Sequence, residues 1–201
     1  MRVFLKLISY IFHPIFIPIA GTLAYFALVP YSPLELQSGN ILPIFILTVI
    51  IPIISFLILK NIGIVQSVFL TSINERKYPM YISIALLFMV LFKVIPNNYT
   101  AELYYYFLGL IGASSGALLL LFFNFKTSIH MMAMGSFLMF LINLSIHFEK
   151  NVIMAISILT LITGLVASSR LFLKAHNRQE LIVGLILGLF SQFLTISFWL
   201  Q

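Results

Sequence analysis

Long apolar runs separated by short polar stretches make up almost the whole chain. A bilayer-spanning helix needs about 20 mainly apolar residues. Runs of that kind fall at about 11–29, 41–59, 80–96, 103–123, 129–147, 152–168 and 181–200. Unbroken apolar runs of this length exclude a closed barrel, whose strands alternate. The expected fold class is therefore all-α: a polytopic transmembrane helical bundle of about six to seven spans. The loops leave no room for a soluble domain, and no internal repeat is visible, so residues 1–201 form one unit. Pro14 and Pro18 lie inside the first run, which predicts a kinked or partly interfacial helix. Met1, Arg2 and Lys6 resemble the charged start of a signal peptide, but the prolines interrupt the apolar stretch and no clean cleavage site follows.

The polar positions are unevenly shared between the two ends of the spans. Segments 61–79, 124–128 and 169–180 each follow an even number of crossings, so they open on one side. That side collects Arg76, Lys77, Lys126, His130, Arg170, Lys174, His176, Arg178 and Glu180. The other side has Glu35, Glu102, Glu149 and Lys150, with Lys93 near a helix end. Helical bundles build sites from side chains on facing helices, so a site is expected at the basic end.

Composition sharpens this picture. Only 8% of residues are charged, against roughly 25% in soluble domains, and 62% are hydrophobic. The net charge of +6 suits membrane anchoring and anionic ligands. No basic run alternates with aromatics in a polar context, which sets nucleic acid aside. Without cysteine there is neither a disulfide framework nor thiolate chemistry.

The stretch SRLFLKAHNRQE, 169–180, carries the densest chemistry. Ionisable groups at a membrane edge are costly and mark a functional site by default. His176 and Glu180 are four residues apart, a spacing that places them on one helix face. The carboxylate can accept from one ring nitrogen and leave the other free as nucleophile or base. Arg170 offers a planar fork of donors suited to phosphate. The plainer reading is a charged loop anchoring two helices, and Lys174 and Arg178 are read as such anchors.

Three ordered motifs on this face resemble the type 2 phosphatidic acid phosphatase superfamily. Its pattern is Lys-x6-Arg-Pro, then Pro-Ser-Gly-His, then Ser-Arg-x5-His-x3-Asp. The third motif appears as Ser169, Arg170, His176 and Glu180, with Glu for Asp. The second appears as Thr127-Ser128-Ile129-His130, which keeps Ser and His. The first is reduced to Arg76 and Pro79 of NERKYP, with Phe69 at the lysine position and Lys77 or Lys126 as substitute cations. Two spans separate the first and second motifs here.

The resemblance implies metal-independent hydrolysis of a phosphate ester through a phosphohistidine, with no cofactor. His176 would attack phosphorus, Glu180 would orient its ring, and His130 would protonate the leaving alkoxide. Arg170, Arg76, Lys77 and Lys126 would hold the phosphoryl oxygens, assisted by Ser128, Ser169 and nearby backbone N–H groups. A helix starting near His130 would add its positive end. No set of residues at metal-ligand spacing is visible.

The expected substrate is a lipid or polyprenyl phosphate arriving through the bilayer, in a bacterial inner (cell) membrane. Nine of the eleven basic residues lie on the motif side, which the positive-inside rule would make cytoplasmic, but six of the nine belong to or flank the proposed site and the remaining three against two leave the side open. A catalytically degenerate relative that binds anionic headgroups, or acts as a small transporter or scaffold, is the alternative. The oligomeric state is left open. His13 and His147 are read as structural. Gly184 and Gly188 predict a close-packing face. Gly112, Ser114, Ser115 and Gly116 are read the same way, and Tyr104, Tyr105 and Tyr106 as an interfacial belt.

Overall fold

A computed structural model describes residues 2–66, 73–95 and 100–199. Among them there is no strand, and seven helical segments are long and apolar enough to cross a membrane. The protein is an all-α, multi-pass membrane bundle.

The first span is α1 (Arg2–Ile11) and α2 (Ile17–Leu28), joined by a 3-10 turn at Pro14–Phe16. The second is α3 (Leu34–Phe45) and α4 (Ile51–Asn61), joined by a π turn at Ile46–Ile50. The third is α5 (Ile73–Met89), ending in another π turn at Val90–Val94. Four regular spans follow: α6 (Ala101–Phe122), α7 (Ile129–His147), α8 (Ile153–Phe172) and α9 (Arg178–Ile196).

Proline chemistry explains the two broken spans. The residue before a proline is pushed out of the α region, and His13 is extended at φ −68°, ψ 139°. Pro14 and Pro18 then sit in the first turns of the segments that follow, where a missing N–H costs little. The expected kink is present, but the span starts near residue 3 rather than 11. Ile8 belongs to a core cluster that includes Val166 of α8, with Leu5 and Phe12 packed against that cluster, so α1 joins the bundle despite Lys6. In the second span Pro43 lies within α3 and Pro52 opens α4, with the π turn between them. Such turns often mark functional sites.

The expected 61–79 loop is a loop only in part. α5 begins at Ile73, so Arg76, Lys77 and Pro79 are helical, with Pro79 inside the helix. Phe69, Pro96 and Leu200, assigned to the first motif and to two span ends, lie outside the described residues.

α6, α7 and α9 form the centre. α7 and α9 make the most extensive contact in the bundle. A Cβ added at Gly184 would come 2.5 Å from the Ser128 carbonyl oxygen, and one at Gly188 would overlap the Met132 carbonyl oxygen. Absent side chains thus let the backbones touch, the small-residue packing the sequence predicts. Gly188→Leu is therefore expected to destabilise the protein by about 1–3 kcal/mol or more, because a backbone carbonyl cannot move aside. A lowered unfolding temperature in detergent would show it, and an unchanged one would refute the close contact.

The other small residues divide. A Cβ added at Gly116 would come 3.0 Å from Leu187 of α9, whereas Gly112 and Ser115 are exposed. Tyr106 is not part of an interfacial belt. It is fully buried, stacks on Phe140 at 4.1 Å, and donates to the Ile17 carbonyl at 2.8 Å. A phenol buried in apolar surroundings needs such a partner.

Candidate active site

The turn between α8 and α9 is built by two caps. Lys174 adopts the left-handed conformation at φ 53°. Its N–H reaches the Leu171 carbonyl, and the Ala175 N–H reaches the Arg170 carbonyl, both at 3.0 Å. This is a Schellman ending with lysine in the usual glycine position. Asn177 then caps α9: its side chain accepts from the Glu180 N–H at 2.8 Å, while the Glu180 carboxylate accepts from the Asn177 N–H at 3.3 Å. The pair is a capping box.

His176 precedes α9, so it does not share a helix face with Glu180 as the spacing suggested. The capping box nevertheless turns the carboxylate back, and Glu180 Oε2 lies 2.6 Å from His176 Nδ1. An ionised carboxylate accepts only, so Nδ1 carries the hydrogen and Nε2 keeps its lone pair. Burial holds the His176 pKa below the usual histidine value. The hydrogen bond to Glu180 opposes that shift, and Arg76 and Arg170 add to it. The neutral, nucleophilic form thus persists below the ordinary histidine range.

Both arginines are buried: Arg170 is 9% exposed and Arg76 6%. Arg170 Nη1 approaches the Ser9 hydroxyl at 3.5 Å, and its Nε is buried without a hydrogen-bond partner among the described residues. A guanidinium left so incompletely satisfied away from water is costly unless an anion is accommodated. Lys126 follows the α6 ending, where Asn124 is left-handed at φ 58°. Its pKa is lowered by burial first, then by Arg76 and Arg170, with Glu180 opposing.

His130 stands in the first turn of α7, whose Ser128 N–H donates to the Glu180 carbonyl at 3.1 Å. That bond ties the second motif to the third. The Ser128 hydroxyl is fully buried and has no partner among the described residues.

A cavity of about 940 Å³ joins these parts. Arg76, Lys126, His130, Arg170, Lys174 and His176 line its polar part. Phe56, Leu57, Leu86, Leu87 and Leu110 belong to a much larger apolar wall that runs along α4, α5 and α6. Thr48 and Leu47 of the π turn also line it, so the break in the second span helps to shape it.

Two expected phosphate ligands have other contacts. Ser169 is fully buried and donates to the Leu5 carbonyl at 2.6 Å, fastening α8 to α1. Lys77 stands 5.0 Å above the Phe122 ring. Two further residues reach the site without belonging to any motif. Ser9 joins Ser169 at 2.8 Å, and its carbonyl lies 3.2 Å from His130 Nε2. His13 lines the cavity and meets the His130 ring edge-on at 5.3 Å. Their signal in the sequence is a four-residue spacing just before Pro14, from Ser9 near the end of α1 to His13 in the break after it.

Among the described residues no three His, Cys, Asp or Glu side chains group as metal ligands. The chain matches no protein-family model, no curated protein and no solved structure.

Proposed function

We propose that this protein is a membrane-embedded, metal-independent hydrolase that removes phosphate from a lipid or polyprenyl phosphate. The observation that carries the reading is the cavity: one continuous space joins a histidine–carboxylate pair and two buried guanidiniums to a long apolar wall. A phosphate fits the first part and a hydrocarbon chain the second.

His176 Nε2 attacks phosphorus, forming a P–N bond as the P–O bond to the alcohol breaks. His130 gives its proton to the departing alkoxide, and Glu180 stabilises the charge that develops on the His176 ring. Water, deprotonated by His130, then splits the P–N bond and releases inorganic phosphate. Arg170 and Arg76 hold the equatorial oxygens through both steps, with Lys126 adding positive charge nearby. The bacterial cell membrane is the setting that the motif resemblance carries with it.

One observation favours a second reading, in which the same end holds an anionic headgroup without turnover. The Ser128 N–H is already bonded to the Glu180 carbonyl, so it is not free to donate to a transition state.

Phosphate release from soluble n-alkyl phosphates, butyl to octyl, separates the readings when measured with EDTA present. kcat/KM is expected to rise about threefold or more per methylene until the groove is filled. A flat profile would exclude the apolar wall as the chain seat, and no release from any ester would leave the headgroup binder.

A further inference from the structure

The motif resemblance covers roughly residues 70–190, yet the wall behind His130 comes from the first span. We infer that His13, together with the Ser9 carbonyl, is a positioning residue that fixes the His130 ring so that its proton leaves from Nδ1. The inference rests on the hydrolase reading above.

A carbonyl oxygen can only accept, so the 3.2 Å contact between Ser9 O and His130 Nε2 places a hydrogen on Nε2. In the neutral ring Nδ1 is then a bare lone pair. In the charged ring Nδ1–H is the N–H that Ser9 does not hold. A proton passed to the leaving oxygen therefore comes from Nδ1, and a proton taken from water returns to it.

A half-turn of the ring would put Cε1 where Nε2 meets the Ser9 carbonyl and Cδ2 where Nδ1 stands, so neither nitrogen would keep its place, and His13 packs against the ring that would have to turn. Its ring meets that of His130 at 5.3 Å with an interplanar angle of 81°. The His13 ring is itself tethered, because its Nδ1 accepts the Ile15 N–H at 3.3 Å where Pro14 breaks the span. Ser9 is held as well, its hydroxyl 2.8 Å from that of Ser169. One turn of α1 and the break after it thus set the orientation of a group on α7.

The test uses the dependence of the reaction on its leaving group. An alkyl phosphate needs an acid to protonate its alkoxide, whereas p-nitrophenyl phosphate expels a stable phenolate unaided. His13→Asn keeps an acceptor for the Ile15 N–H and removes the ring. It is expected to lower the octyl phosphate to p-nitrophenyl phosphate ratio of kcat/KM, which reports only the steps up to release of the alcohol, by about tenfold to a hundredfold. His13→Phe restores a ring of similar shape and should return the ratio to within about threefold of wild type. Equal losses of kcat/KM on both esters in His13→Asn, or the same kcat/KM ratio in both variants, would overturn the positioning role.

A second measurement does not depend on turnover. In full-length protein with 15N-labelled histidine, the His130 signal should be that of the Nε2–H tautomer when neutral. An Nδ1–H tautomer would overturn the inference even if wild type hydrolyses both esters. A wild type inactive on both would sink the hydrolase reading instead, while the tautomer still reports whether the ring is held as described.

Discussion

Replacing His176 with alanine is expected to abolish phosphate release while leaving the bundle folded. The loss should reach about four orders of magnitude or more, the scale seen when a covalent nucleophile is removed from a catalytic unit. The fold should survive because His176 lies in the turn between α8 and α9, ahead of the cap. Its side chain is hydrogen-bonded to Glu180 at 2.6 Å, and Glu180 keeps Asn177 as a partner. The alanine variant should therefore elute and melt like wild type in detergent. A variant that keeps most of its activity would remove the nucleophile from the scheme. In wild type the activity should also hold as pH falls through the ordinary histidine range. Burial lowers the His176 pKa, so protonation, which takes away the lone pair, comes at lower pH.

The second large effect is expected for Glu180→Gln. This carboxylate has two tasks, capping α9 and orienting His176. Glutamine serves equally well at this position of a capping box, so stability should change little. The charge is lost, however, and an amide can present its NH2 group to Nδ1 and select the wrong tautomer. Loss of an orienting carboxylate costs about 10⁴ in turnover in the Ser-His-Asp systems, and a fall of about 10² to 10⁴ is expected here. Measuring kcat beside the thermal midpoint separates the two tasks. A fall in stability with unchanged kcat would make Glu180 a cap and nothing more.

Much of the candidate site is legible in the amino-acid sequence. His176, Glu180 and Arg170 stand close together in the chain, so local geometry brings them together. Even there the route differs, because the spacing suggests a shared helix face and the capping box achieves the contact. Counting spans places Arg76, Lys126 and His130 at the same end. Arg76 is helical because α5 continues past Pro79, a proline that an established helix accommodates.

The other differences come from packing between distant segments. Ser169 and Arg170 are neighbours in one motif, yet one fastens α1 and the other lines the cavity. Tyr104 and Tyr106 belong to one tyrosine run, yet Tyr106 enters the core and Tyr104 only packs against it. His13 has no motif partner in the sequence, and its partner lies on α7.

Hydropathy by itself determined that this chain is an all-α, multi-pass membrane protein of about six to seven spans, and the order of charges along it determined which end of the bundle is basic. Those properties depend on transfer from water, which each segment expresses alone. Which faces of the helices meet was decided by tertiary structure. Lipid and protein interior are equally apolar, so hydropathy cannot tell an inward face from an outward one. Close backbone approach at Gly184 and Gly188, proline breaks in two spans and hydrogen bonds between distant residues made that choice. They also brought Ser9 and His13 to a site whose recognisable motifs lie in the later spans.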